Sequence, residues 1–121
     1  MKIIKLSEVS KQEVEAAIFT GGKVAMQPIV TPEMTDQLLV TNVNFSKGAH
    51  TKFHIHTVDQ VLIVTSGTGI VATENDEVVV TVGDVVHFPG GENHRHGATK
   101  DSDFSHIYVM LPGGTTQVQE D

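Results

Sequence analysis

The segment from residue 48 to residue 60 reads Gly48-Ala-His-Thr-Lys-Phe-His54-Ile-His56-Thr-Val-Asp-Gln60, and it indicates both the fold and the chemistry of the chain. One residue separates His54 from His56. In an extended strand the side chains alternate between the two faces, so both imidazoles can face one interior point. His94, further along the chain, offers another ligand. The pattern therefore predicts a metal site built on β-strands.

Two spaced motifs carry a resemblance to a known superfamily. The first motif is Gly48-x5-His54-x-His56-x3-Gln60-x6-Gly67, and the second is Gly83-x5-Pro89-x-Gly91-x2-His94. Together they resemble the paired motifs of the cupin superfamily, with a spacing similar to that of small single-domain cupins of bacteria. The resemblance implies an all-β fold, a cupin-type jelly-roll β-barrel. It also implies metal ligation by four side chains: His54, His56, Gln60 and His94.

Gln60 departs from the family pattern, which usually has Glu at this position. Three imidazoles and one amide form a neutral ligand set, so a divalent ion would keep its full double charge and act as a stronger Lewis acid. Oxidation of the ion becomes harder without the carboxylate. The ligand types do not identify the metal, because several ions accept N and O ligands. The resemblance favours Mn or Fe, and Zn, Ni and Co are the alternatives.

Length and composition limit the class of protein. A chain of 121 residues fits one domain with one core. Eight Lys and Arg against fifteen Asp and Glu give a net charge of -7, which argues against partners such as nucleic acid or an anionic membrane. The chain has no cysteine, so nitrogen and oxygen must supply any metal ligands. We see no signal peptide and no run near the ~20 apolar residues of a membrane span, and we expect a cytoplasmic location.

Turn residues divide most of the chain into short β-rich runs. Strands are predicted at 24–30, 37–45, 60–64, 69–73, 77–82, 85–88, 94–99 and 104–111, which favours a sandwich or jelly roll. Upstream, Ser10-Lys-Gln-Glu13 reads as a capping box and predicts a short N-terminal helix that stops at Gly21-Gly22. We therefore interpret residues 1–22 as an N-terminal helical arm, 23–114 as the barrel and 115–121 as a polar tail.

Two further histidines are candidates for catalysis. His96 lies two residues after His94, so both side chains face the same side of a strand. His106 lies near the centre of the last predicted strand. A histidine that faces a cavity can act as general acid or base near neutral pH. The alternative is a hydrogen-bonded histidine that lines the barrel without a catalytic role. Arg95, the only arginine, points away by the same alternation and is poorly placed to clamp a substrate.

The residues around these histidines suggest a small, mostly apolar substrate pocket, with the candidates Thr41, Val43, Phe45, Tyr108 and Met110. A small carbonyl or hydroxy compound would fit such a pocket better than a polyanion. The complete set of site residues most resembles the small manganese-dependent cupins that act as hydroxynitrile lyases in bacteria. That resemblance implies that His106 moves the substrate's hydroxyl proton and that His96 helps to orient cyanide.

The leading hypothesis is a metal-dependent lyase that acts on a small oxygenated substrate, with cyanohydrin cleavage or synthesis as its most specific form. An iron-dependent dioxygenase and a non-catalytic module that binds a metal or a small ligand are the alternatives. The predicted strands 37–45 and 104–111 are apolar on both faces. One face fills the barrel and the other needs a cover, so we predict a homodimer formed by sheet packing.

Overall fold

Strands account for most of the regular structure of the protein, for which a computed structural model describes residues 1–120. Asp121, the last residue of the predicted polar tail, lies outside the described residues. A 3-10 turn at Leu6–Glu8 precedes the strands. In chain order the strands are β1 (Gln12–Glu13), β2 (Phe19–Thr20), β3 (Val24–Val30), β4 (Leu39–Phe45), β5 (His50–Thr51), β6 (His54–His56), β7 (Gln60–Thr73), β8 (Glu77–Thr81), β9 (Val85–Phe88), β10 (His94–Ala98), β11 (Phe104–Met110) and β12 (Thr116–Val118).

The strands build one curled sheet in the order β1-β3-β4-β11-β7-β10-β5-β2, and every neighbouring pair is antiparallel. Strand β7 joins the two layers of the barrel. Its first half pairs with β11 and β9, and its second half pairs with β10 and β8. This architecture confirms the all-β, cupin-type barrel that the two motifs imply.

A bend within β7 replaces the break that the sequence predicted at Ser66-Gly67. Residues 60–64 and 69–73 belong to one strand of 14 residues. Gly67 has a φ of +72°, and a Cβ at this position would overlap the carbonyl oxygen of Asp103. Only glycine tolerates both conditions, so the chain can turn from one layer into the other without leaving the sheet.

Alternation along β7 shows how the barrel interior is filled. Gln60, Leu62 and Val64 are buried, whereas Ile63 between them is 36% exposed. The inward residues of the other strands complete one apolar core, which comprises Val24, Val43, Phe45, Ala49, Leu62, Val64, Val71, Val80, Phe88, Ala98 and Phe104. Two members of this core, Phe45 and Phe88, pack against the rings of His96 and His94.

The N-terminal helix predicted from the capping box is wrong. Gln12 and Glu13 pair with Met26 and Ala25 of β3, and Phe19–Thr20 pairs with β5. So short a helix would be unstable alone, because helix nucleation is unfavourable and few hydrogen bonds follow it. Two open sheet edges offer the same backbone groups better partners, and the 3-10 turn at Leu6–Glu8 is the helical structure that remains.

The last residues of the chain also join the sheet. Thr116–Val118, within the predicted polar tail, pairs with β6, the strand that carries His54 and His56.

Within residues 1–120, no helix is long and apolar enough to span a membrane.

Candidate metal centre

Two neighbouring strands bring three histidines together inside the barrel. His54 and His56 alternate onto the inner face of β6, and His94 opens β10 directly opposite His54. All three are buried, with exposed fractions of 1%, 8% and 1%. One ring nitrogen from each lies within 4.8 Å of the others. Their convergence confirms the predicted cluster, and the three imidazoles suit a divalent metal ion.

Hydrogen bonds hold the rings of His54 and His94 so that Nδ1 of each points away from the cluster. Nδ1 of His54 donates to the carbonyl oxygen of Lys52 at 2.7 Å, and Nδ1 of His94 donates to that of Glu92 at 2.8 Å. A carbonyl oxygen only accepts, so Nδ1 carries the hydrogen and Nε2 carries a lone pair in both neutral rings. This is the tautomer that a metal ligand requires.

Burial keeps the three imidazoles neutral. It lowers the pKa of His54, His56 and His94 from 6.5 to about 4 in each case, because a charged ring loses its hydration inside the barrel. Each ring also disfavours a positive charge on its neighbours. At neutral pH the cluster therefore presents unprotonated nitrogens, which is the form that binds a cation.

Gln60 lies beside the cluster at the start of β7 and is 4% exposed. Its Oε1 is 3.3 Å from Nε2 of His94, and its Nε2 contacts Sδ of Met110 at 3.5 Å. Since Nε2 of His94 has no hydrogen, two acceptor atoms face each other with no donor between them. Nε2 of His56 is likewise buried and has no hydrogen-bond partner among residues 1–120. A cation at this point would satisfy all of these lone pairs, so the residues present fit a metal ion.

A second pair of histidines lies deeper in the barrel. Nε2 of His106 and Nδ1 of His96 are 2.9 Å apart, so the two rings share one hydrogen bond. His106 is fully buried, His96 is 5% exposed, and Phe45 packs against both rings. Nδ1 of His106 has no partner within residues 1–120.

The deep pair is also neutral at physiological pH. Burial lowers the pKa of His106 to about 3. Burial also holds the pKa of His96 well below its usual value, and the neighbouring histidines add to this effect. Two neutral imidazoles carry two N–H hydrogens on four nitrogens, so two nitrogens of the pair keep a lone pair.

A cavity of about 540 Å³ opens next to the two histidine groups. Of the five candidate pocket residues, Val43, Tyr108 and Met110 line this cavity, and Thr41 and Phe45 do not. Phe45 lies instead in the core under His96 and His106, and the buried Thr41 sits opposite Tyr108 in the β4–β11 register.

Both chain ends contribute residues that the sequence did not reveal. Val14, Ile18 and Phe19 line the cavity from the N-terminal side, and the range 113–116 with Val118 lines it from the C-terminal side. A period-two pattern in 116–118 could have signalled the C-terminal strand, but three residues are too short for a confident assignment. None of the described residues that line the cavity is Asp, Glu, Lys or Arg.

The side chains of Arg95 and His87 lie outside the cavity. Arg95 donates to Oε1 of Glu77 at 2.9 Å and stacks over Phe53, which confirms that it points away from the site. His87 is exposed and lies 2.9 Å from a carboxylate oxygen of Asp59.

Comparison with known proteins agrees with this geometry. A protein-family model described as the cupin domain matches residues 41–110. The curated relative (R)-mandelonitrile lyase of Granulicella tundricola is 35% identical over 113 residues, which cover 91% of this chain and 84% of that protein. A cupin-like protein from Thermotoga maritima has a TM-score of 0.85 at 28% identity and covers 94% of this chain and 89% of its own. A polyketide cyclase from Streptomyces resistomycificus has a TM-score of 0.84 at 16% identity, with 100% and 88% covered, and shares the fold.

Proposed function

Since this chain belongs to the cupin domain family, we propose that it is a metal-dependent enzyme that acts on a small oxygenated substrate, most specifically in the cleavage or synthesis of cyanohydrins. One observation carries the proposal: Oε1 of Gln60 faces an unprotonated Nε2 of His94 at 3.3 Å inside a cluster of neutral histidines. A buried arrangement of acceptors without a donor is unfavourable unless a cation binds there.

Four side chains would hold the ion, namely His54, His56, His94 and Gln60. When bound, a divalent metal supplies Lewis acidity, which polarises a substrate oxygen. The ligands are all neutral, so they leave the charge of the ion undiminished. Mn or Fe is our preferred ion, and Zn, Ni and Co are the alternatives.

The His96–His106 pair supplies the proton transfer in this proposal. In the cleavage direction the hydroxyl proton of the cyanohydrin passes to the pair. The bond between the carbinol carbon and the nitrile carbon then breaks, its electron pair leaves with cyanide, and the carbonyl double bond forms. Return of the proton to cyanide gives hydrogen cyanide. Both rings line the cavity, so in this proposal His106 takes the hydroxyl proton and His96, bonded to it, helps to orient cyanide.

The cavity supports an uncharged substrate. Its apolar side chains include Val43, Phe19 and Met110, and no charged side chain of residues 1–120 lines it. A carboxylate or phosphate would lose its hydration there without gaining a cationic partner other than the metal. The name of the 35%-identical relative makes mandelonitrile the first compound to test.

The first experiment is elemental analysis of tag-free protein. Wild type should contain near-stoichiometric metal, and His54→Ala should contain none, because it loses a ligand. His50→Ala is the matched control, since His50 lies on the neighbouring strand and bonds to Gly48 rather than facing the cluster. The loaded wild type is then assayed for mandelonitrile cleavage and for substrate-dependent oxygen uptake. Oxygen uptake without cyanide release would replace the lyase with a dioxygenase, and wild type without metal after soaking would refute the metal site.

We also propose a homodimer that covers the outer face of the barrel. An apolar strip crosses this face, with Ile63 paired to Val85 and to Ile107, and Val61 paired to Val109. Ile63 is 36% exposed and Val85 is 63% exposed. Packing two such faces would remove apolar surface from water. Light scattering at micromolar concentration should give twice the chain mass, and a monomer would contradict the proposal.

A further inference from the structure

The three clustered histidines differ in what holds their outer nitrogen. His54 and His94 each bond to a carbonyl two residues earlier in their own segment. Nδ1 of His56 instead lies 2.8 Å from the hydroxyl oxygen of Thr116, which is 60 residues away. Two rings are thus oriented locally, whereas the third depends on the last strand of the chain.

The segment from 115 to 120 is attached along the whole ligand strand β6. Thr116 and Val118 pair with His56 and His54 in an antiparallel register. Beyond the strand, the amide of Gln119 donates to the carbonyl of Phe53 at 2.8 Å. At the other end, the amide of Thr57 donates to the carbonyl of Thr115 at 3.0 Å. β12 therefore covers an edge of β6 that would otherwise be open.

A hydroxyl group fixes the tautomer of a neighbouring histidine less strictly than a carbonyl does, because a hydroxyl can donate as well as accept. The oxygen of Thr116 can accept a hydrogen from Nδ1 of His56 or donate one to it. Only the first arrangement leaves Nε2 unprotonated and able to bind a metal. The second places a hydrogen on Nε2 in the neutral ring, so metal binding has to select the arrangement in which Thr116 accepts.

We propose that Thr116 is a positioning residue for the metal site and that the pairing of β12 with β6 is coupled to metal affinity. The inference rests on the proposed function, because it presupposes a metal at the histidine cluster. Thr116 lies outside residues 41–110, the region that matches the cupin domain. Linkage makes the coupling reciprocal: a paired β12 raises metal affinity, and bound metal stabilises the pairing of β12.

The test compares three full-length variants with wild type. Thr116→Val removes the hydroxyl and keeps the branched shape, Thr116→Ser keeps the hydroxyl, and Gln117→Val changes the outward residue of the same strand. Mn²⁺ affinity is measured by competition with a chelator. We expect Thr116→Val to bind Mn²⁺ ~10- to 100-fold more weakly than wild type, as for other residues that orient a metal ligand. Thr116→Ser and Gln117→Val should stay within about threefold of wild type, as expected where no orienting bond is lost.

Hydrogen exchange supplies a readout that does not depend on catalysis. Mn²⁺ should slow exchange of the β12 amides in wild type and Gln117→Val, but not in Thr116→Val. Equal affinity of Thr116→Val and wild type would overturn the inference while leaving the metal site in place. If Thr116→Val does not fold, β12 exchange in wild type that is indifferent to Mn²⁺ would overturn it. Wild type that binds no Mn²⁺ would instead refute the proposed function, and this inference with it.

Discussion

His94 and His96 lie on the same face of β10, with their rings nearly parallel and 5.9 Å apart, yet their surroundings differ. His94 gives its Nδ1 hydrogen to a backbone carbonyl and is left with a lone pair at the cluster. His96 uses Nδ1 to contact another imidazole, that of His106. The comparison shows that the partner of Nδ1 sets which nitrogen keeps the lone pair: a carbonyl partner leaves Nε2 free for a metal, and in the proposed function the imidazole partner makes His96 and His106 a proton-exchanging pair.

Alanine substitutions at His94 and His96 test most directly whether the two histidines have different roles. We expect His94→Ala to lose metal to background, because one ligand and the partner of Gln60 disappear together. His96→Ala should retain near-stoichiometric metal and lose turnover instead. Elemental analysis of both variants, purified identically, checks this contrast. Metal retained in His94→Ala, or lost in His96→Ala, would contradict the division of roles.

His106→Ala tests the deep pair without touching the cluster. Turnover should fall by ~10²-fold, the scale of general acid–base catalysis, while metal content stays at the wild-type level. The change also leaves a cavity, so the melting temperature must be measured alongside turnover. His87→Ala, an exposed histidine, is the control. Full activity in His106→Ala would remove its proposed role.

Gln60→Glu tests whether the neutral charge of the ligand set favours the proposed reaction. A carboxylate would bind the ion more tightly and reduce its effective charge, so we expect metal to be retained and turnover to fall by about 10-fold. Steady-state kinetics with mandelonitrile provide the measurement. A faster lyase would show that the neutral ligand set is not what favours the reaction.

The smallest expected effect is on stability. The folded-state pKa is about 4 for His54, His56 and His94 and about 3 for His106, all below the usual value of 6.5. As pH falls from about 6.5 towards 4, the unfolded chain binds more protons than the folded one, so stability present above about pH 6.5 is progressively lost.

For the metal-free protein we expect the melting temperature at pH 4.5 to be lower than at pH 7.5 by on the order of 10 °C. Calorimetry at the two pH values measures this difference. An unchanged melting temperature would show that the folded and unfolded chains bind the same number of protons over this range, so that burial does not lower the pKa of these histidines.

Local pattern was enough to predict much of this molecule. The period-two spacing of His54 and His56 and the second motif at His94 identified the cluster, because inward alternation does not depend on distant contacts. Alternation along the strand likewise predicted that His96 faces the interior and that Arg95 faces outward. The short turns of the barrel were visible because glycine and asparagine mark them.

What the sequence did not reveal depends on pairings between distant residues. The capping box at Ser10 indicated a local preference for a helix. Pairing with two sheet edges is more favourable, so the segment forms short strands instead. The bond between His56 and Thr116 and the bond between His96 and His106 depend on strand register. Register is set by the whole sheet, so the residues around each partner carry no signal of it.

The cavity mouth has a consequence for how this protein can diversify. Ligand-bearing strands lie in the middle of the chain, while the two walls of the mouth come from its ends. Substitutions of the Val14 or Ile18 side chains would reshape the cavity without removing a side-chain bond to the histidine cluster, so under the proposed function the N-terminal wall can change substrate preference independently of the metal site. The C-terminal wall lacks this freedom, because Thr116 serves the entrance and His56 at once. Library design aimed at substrate scope should therefore begin at the N-terminal wall.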